Sequence, residues 1–142
     1  MGNYQELIFY QKARHVVKIV DTLVKNWPRT MQAQEISRQL FRSATSVGAN
    51  IAEGHGRHQG TEYVHYLIIA QGSANETEHW LHTAQDCGLG PSEKIEESLR
   101  LNNEVVRMIT STISTVRSKR GSTSVQENHA DYTADGNVIS YD

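Results

Sequence analysis

The chain has 142 residues, enough for one domain and too few for two comfortable ones. With 37% hydrophobic and 21% charged residues and a net charge of −2, it has a globular composition and is neither collagenous nor wholly disordered. A single Cys excludes an internal disulfide framework and fits a reducing compartment. The longest apolar run, Leu67-Ile68-Ile69-Ala70, is far shorter than the roughly 20 residues that span a bilayer. Met1-Gly2-Asn3-Tyr4-Gln5-Glu6 has no basic or apolar leader pattern, so no membrane association and a cytoplasmic location are expected. The net charge conceals a division along the chain. Residues 1–60 carry 8 bases and 4 acids, residues 61–120 carry 6 bases and 8 acids, and residues 121–142 carry 4 acids and no base.

Four helices follow from periodicity and punctuation. The first is expected over about 4–26. Asn3 and Glu6 have capping-box spacing. Phe9, Ala13, Val16, Val20, Leu23 and Trp27 then hold one face, and Pro28 prevents continuation. The second is expected over about 33–54, with Ile36, Leu40, Ala44, Val47 and Ile51 as its apolar face, and Gly54, His55 and Gly56 ending it. The third, about 61–86, repeats Tyr63, Leu67, Ala70, Ala74, Thr77, Leu81 and Ala84 at alternating steps of four and three. Gly88 supplies a left-handed cap for it, followed by Pro91. The fourth, about 92–118, repeats Ile95, Leu99, Asn102, Val106, Ile109, Ile113 and Val116. Ser92 is its expected cap, and Arg117, Lys119 and Arg120 suit its negative end.

Helices of this length run about 33–40 Å at 1.5 Å per residue. The short connections between them permit antiparallel neighbours, so the expected fold is an all-α, up-down-up-down four-helix bundle over residues 1–120. Residues 121–142 are acidic and rich in Gly, Ser, Thr and Asp, and read as a disordered tail. Small residues cluster on two helices, at Gly48, Ala49 and Ala52 and at Ala70, Gly72, Ser73 and Ala74. Glycine inside a helix costs about 1 kcal/mol against alanine, so these predict close backbone approach, within the bundle or between protomers.

The stretch Gln39-Leu40-Phe41-Arg42-Ser43-Ala44-Thr45-Ser46-Val47-Gly48-Ala49-Asn50-Ile51-Ala52-Glu53-Gly54, continuing to Arg57, resembles the signature of the four-helix-bundle proteins encoded in 23S ribosomal RNA intervening sequences. The resemblance continues in Tyr63-x-x-Tyr66-Leu67-x-x-Ala70-x-Gly72-Ser73-x-x-Glu76, and more weakly in Leu7 to Ala13 and Trp27-Pro28. It covers about residues 4–118. It implies an antiparallel bundle assembling as a ring-shaped homopentamer. It also implies similarity to the accessory variability determinant protein of diversity-generating retroelements, a basic pentamer that binds nucleic acid and a reverse transcriptase. RNA binding is the corresponding expectation for this bacterial-type chain.

The residues that carry such a function are bases. Arg38 and Arg42 lie four apart on one face of the second helix, Arg57 follows with His55 and His58 beside it, and Arg14 and Lys18 stack one turn apart on the first. Arginine forks fit phosphate oxygens, so these five form a candidate nucleic-acid-binding stripe. The competing reading is a solvated face, or intersubunit ion pairs to Glu53, Glu62 or Glu76. Asn50, Glu53 and Glu76 sit beside the small-residue runs and are expected in a buried or interfacial polar network fixing helix register, with Glu76 meeting Asn50 or Arg42.

Other chemistry is not expected. Glu62/His65 and Glu76/His79 both lie on the third helix about 21 Å apart, too far for one binuclear metal site. His55-x-x-His58 and His79-x-x-His82 offer only two imidazoles each. Cys87 sits at a helix C-terminus, where the dipole disfavours a thiolate. Trp27 and Trp80 read as packing residues before nucleobase platforms. No nucleophile triad, phosphate loop or cofactor motif is present, so no enzyme activity and no cofactor are expected. Two functions remain: an RNA- or DNA-associated homo-oligomer, and a protein adaptor or accessory subunit, for instance of a reverse transcriptase.

Overall fold

Asn3 caps the first turn of the chain, its side-chain oxygen accepting from the Gln5 backbone N–H at 3.0 Å. That cap serves a single 3-10 turn, Tyr4–Glu6, and not the long helix expected from residue 4. Leu7 is extended, so the first α-helix, α1, begins only at Ile8 and runs to Lys25. The computed structural model describes residues 2–57 and 60–128, with 120–128 described by their helical backbone alone. It places α2 at Met31–Arg57, α3 at Gly60–Asp86 and α4 at Ser92–Asn128.

The helix ends follow local chemistry. Thr30 caps α2, its hydroxyl accepting from the Ala33 N–H at 3.1 Å, two residues earlier than periodicity alone placed the start. Gly88 adopts the expected left-handed conformation, φ +73°. Its N–H donates to the Gln85 carbonyl and that of Leu89 to the Ala84 carbonyl, the Schellman pattern. Ser92 is not the cap of α4 but its first residue, because Ile95 N–H already donates to the Pro91 carbonyl. Neither α2 nor α4 stops where expected. Gly54 and Gly56 are carried inside α2, and α4 continues ten residues beyond 118 through Gly121. Once a helix is nucleated, adding a residue costs only its propensity, and neither stretch contains the proline that would forbid it. Residues 129–142, the remainder of the expected disordered tail, lie outside the described residues, as does His58.

Each helix packs on its two chain neighbours, and α1 and α4 close the square, giving an antiparallel four-helix bundle. Among the described residues, neither diagonal pair brings its backbones within 8 Å. The core is two apolar clusters. One holds Val16, Val20, Leu23, Trp27, Ile36, Leu40, Leu81 and Ile95. The other holds Phe9, Val47, Ile51, Val64, Leu67, Val105 and Ile109. Between them in sequence, and buried, lie Ser43 on α2, Thr77 on α3, and Ser98 and Asn102 on α4. Thr77 donates to the Ser43 hydroxyl at 2.9 Å, and Asn102 donates across to the Ala74 carbonyl at 2.9 Å. The buried Trp27 joins the two loops at one end of the bundle, its indole N–H donating to the Gly90 carbonyl at 2.6 Å. Trp80 is half-buried against the same cluster.

Candidate nucleic-acid interface

The square arrangement segregates charge. Helix α1 carries Lys12, Arg14, Lys18 and Lys25 against Asp21 alone. Helix α3 carries Glu62, Glu76, Glu78 and Asp86, with no Lys or Arg. These two helices occupy opposite corners, so the protomer has a basic edge and an acidic edge.

On the basic edge, the candidate bases are exposed but do not make a single stripe. Arg14 opens onto a groove of about 370 Å³ between α1 and α2, together with Tyr4, Tyr10, Thr45 and Gly48. Its guanidinium donates to the Tyr10 hydroxyl at 3.3 Å and lies 5.9 Å from that ring's centroid. Lys18, one turn on, opens instead onto a groove of about 430 Å³ against α4, with His15, Asn26 and Lys94. Arg38 borders a third, about 470 Å³, with Lys25 and Arg29. The bases therefore form a collar around α1 and the outer face of α2.

They also differ in how free they are. Arg38 pairs with Glu35 at 2.6 Å, and hydrogen bonds from Gln39 and Arg38 hold the Glu35 carboxyl below its usual range. Arg57 is the most engaged. It is the last residue of α2 and not a loop residue, pairs with Glu53 at 2.8 Å and Glu62 at 3.5 Å, and donates to the Tyr66 hydroxyl at 3.1 Å. The Glu53 hydrogen bond raises the Arg57 pKa. This fastens the end of α2 to the start of α3 within one chain. Arg14, Lys18 and Arg42 have no carboxylate partner among the described residues. Lys12 of α1 reaches across to Glu104 of α4 at 2.9 Å, and that bond, with Arg107 and Arg100 nearby, lowers the Glu104 pKa.

The expected network of Asn50, Glu53 and Glu76 is not assembled. Asn50 is half-buried and donates to Ser46, Glu53 belongs to Arg57, and Glu76 is exposed without meeting Asn50 or Arg42. The polar seam between α2 and α3 is built from hydroxyls instead, Thr77 to Ser43 and Ser73 to Ser46 at 3.0 Å. Hydroxyls fit between close helices where a carboxylate would bring an unpaid desolvation cost. The only signal for it was Ser and Thr standing in an otherwise apolar repeat.

The small residues also divide. Ala70 and Ala74 are core, and Gly48 lies against Tyr10, whose ring sits 3.4 Å from where a Cβ would project. Gly72 is exposed, and a Cβ there would meet none of the described residues within 4 Å. The tightest approach is at Gly54, where a Cβ would meet Tyr66 Cβ at 2.7 Å. Among the described residues, no three His, Cys, Asp or Glu side chains converge as metal ligands, and no helix is long and apolar enough to cross a membrane.

The model of the family described as 23S rRNA-intervening sequence protein matches residues 5–111. The chain belongs to that family. A solved protein of unknown function from the S23 ribosomal protein family of Bacteroides thetaiotaomicron is similar in both sequence and fold. It is 28% identical with a TM-score of 0.62, and the match spans 75% of this chain and 98% of that one. No curated protein matches the chain. For this member of the intervening-sequence family, the matched region takes in α1, α2, α3 and the first half of α4, and so both charged edges.

Proposed function

We propose that this intervening-sequence protein is a non-enzymatic, cytoplasmic RNA-binding oligomer that contacts phosphates through the collar of bases on α1 and α2. The observation that carries the reading is that Arg14, Lys18 and Arg42 are exposed without carboxylate partners among the described residues, while α3, on the corner opposite α1, carries four acids and no Lys or Arg. Unpaired guanidinium and ammonium groups give up no ion pair on meeting a phosphate, and they release counterions when they do. The same separation of charge favours head-to-tail contact between copies, acidic edge to basic edge, which generates closed rings when the rotation closes. A homopentamer of the kind the family resemblance implies satisfies that geometry. The open space over Gly72, beside Ile69 at 38% exposure, supports a neighbour on the acidic edge.

The test is RNA binding across a salt series, with assembly followed by light scattering in the same buffers. Native protein is expected to lose affinity linearly on a log–log plot. Replacing Arg14 and Arg42 by Glu should weaken binding and flatten the slope by about 0.7–0.9 for each phosphate contact removed. An assembled variant that binds as the native protein does overturns the reading. A second reading, a protein adaptor such as a polymerase accessory subunit, draws on Met31 at 81% exposure and Phe41 at 41%. A stoichiometric protein partner co-purifying without nucleic acid would favour it.

A further inference from the structure

The groove beside Arg14 has a composition that phosphate contact alone does not require. Its walls include two tyrosines, Tyr4 from the 3-10 turn and Tyr10 from α1, with ring centroids 5.0 Å apart in an edge-on pair. Both are half-buried, so each keeps part of its ring in the groove. The floor is built of small residues of α2: Gly48, against which the Tyr10 ring packs, and Ala49 and Ala52. Among the described residues no carboxylate lines it, and the charge it holds is Arg14, set against Tyr10. Aromatic faces, a cation without a counter-charge and a cavity of about 370 Å³ suit a flat, electron-rich ring carrying a negative group.

We infer that this groove takes an unstacked nucleobase of single-stranded RNA, with the tyrosines supplying the stacking surface and Arg14 meeting the adjoining phosphate. The inference rests on the RNA-binding reading and extends it, because a basic collar alone does not distinguish a single strand from a duplex. A base already paired and stacked cannot enter, so the groove makes the protein select unpaired RNA. Base–aromatic stacking is typically large enough for loss of the platform to weaken binding about 5- to 150-fold.

The experiment uses the full chain with a short oligouridine, alone and annealed to oligoadenosine, and a 5-iodouridine version for photo-crosslinking. The single strand should bind more tightly, and crosslinks should map to Tyr4 and Tyr10. Tyr10→Leu should weaken single-strand binding within that range with an unchanged salt slope, while Tyr10→Phe keeps the ring and binds as the native protein does. Tyr4 lies outside α1, so Tyr4→Ser gives a second variant with little consequence for the bundle. If both RNAs bind equally, or crosslinks fall elsewhere with Tyr4→Ser and Tyr10→Leu unaffected, the groove assignment is overturned and the basic collar stands. Absence of binding to either RNA at low salt overturns both. If Tyr4→Ser or Tyr10→Leu instead breaks the oligomer, the groove is a contact between copies and not a base site.

Discussion

Replacing Gly54 and Gly72 separately by alanine isolates the close approach of α2 and α3. Both glycines are helical, so alanine lowers the backbone cost at each by up to about 1 kcal/mol, the full amount at Gly72 in mid-helix and less at Gly54 in the last turn. Their surroundings differ completely. At Gly72 the added methyl meets nothing within 4 Å, so the protomer should gain about 1 kcal/mol. At Gly54 it lands 2.7 Å from Tyr66 Cβ and 3.3 Å from Tyr63 Cδ1. Carbon atoms rest about 3.5–4.0 Å apart, so the helices must separate by roughly 1 Å there. Tyr66 Cβ is fixed to the backbone and cannot swing aside. Overpacking of this kind costs about 1–3 kcal/mol, more than the small backbone gain, leaving Gly54→Ala destabilised by roughly 0.5–2.5 kcal/mol and Gly72→Ala stabilised. Urea unfolding followed by circular dichroism, at constant m-value, reads the difference directly. A Gly54→Ala protein as stable as Gly72→Ala would refute the close approach. Light scattering on Gly72→Ala adds a second reading: a more stable chain that no longer assembles places a neighbouring copy over that glycine.

Ser98 is buried and its hydroxyl has no hydrogen-bond partner among the described residues, so Ser98→Ala should stabilise the bundle by about 1 kcal/mol, and a loss in urea unfolding would show that the hydroxyl is satisfied. Trp27→Phe keeps an aromatic ring but removes the donor to Gly90. It should cost about 1–2 kcal/mol and speed amide exchange in the 86–91 loop, and unchanged exchange there would contradict a joining role. The lowered Glu104 pKa stabilises the fold above the ordinary value of 4.5, and that contribution disappears as pH falls through the lowered folded value. The stability gap between native protein and Lys12→Met should therefore be present at neutral pH and close on acidification. A gap independent of pH would mean that Lys12 acts through packing alone.

Helix number, helix order and most of the core were legible because one apolar face repeats every three or four residues, and because Pro28 and Gly88 act through covalent geometry that no tertiary contact overrides. On α4 the face is turned by one residue at two levels, where Ser98 and Val105 are buried and the expected Leu99 and Val106 are half-buried. Helix ends were less legible. Gly54 looks like a terminator in sequence, yet its missing side chain is what admits Tyr66, a reason that exists only once two helices are side by side. The candidate bases were identifiable as exposed positions, but their partners were not. Arg57 and Arg42 belong to the same family-like stretch, and only the folded chain brings Glu53, Glu62 and Tyr66 around one and leaves the other unpaired. The expected Glu76 pairing failed for a similar reason. A helical position gives a face, but not which neighbouring side chain is long enough to reach it.

The buried polar level between the two apolar clusters bears on a general ambiguity of helical bundles. A heptad pattern looks nearly the same after a slide of seven residues, about 10.5 Å along the axis, so a uniformly greasy interior has several almost equivalent alignments. Here that translational degeneracy is broken. Sliding α4 by one heptad carries Asn102 away from the Ala74 carbonyl and into hydrocarbon, while sliding α2 past α3 parts Ser43 from Thr77. One alignment satisfies these groups and its neighbours do not, so the level acts as a detent. Rigid spacing along the axis is what lets grooves and charges on different helices face outward as one fixed pattern.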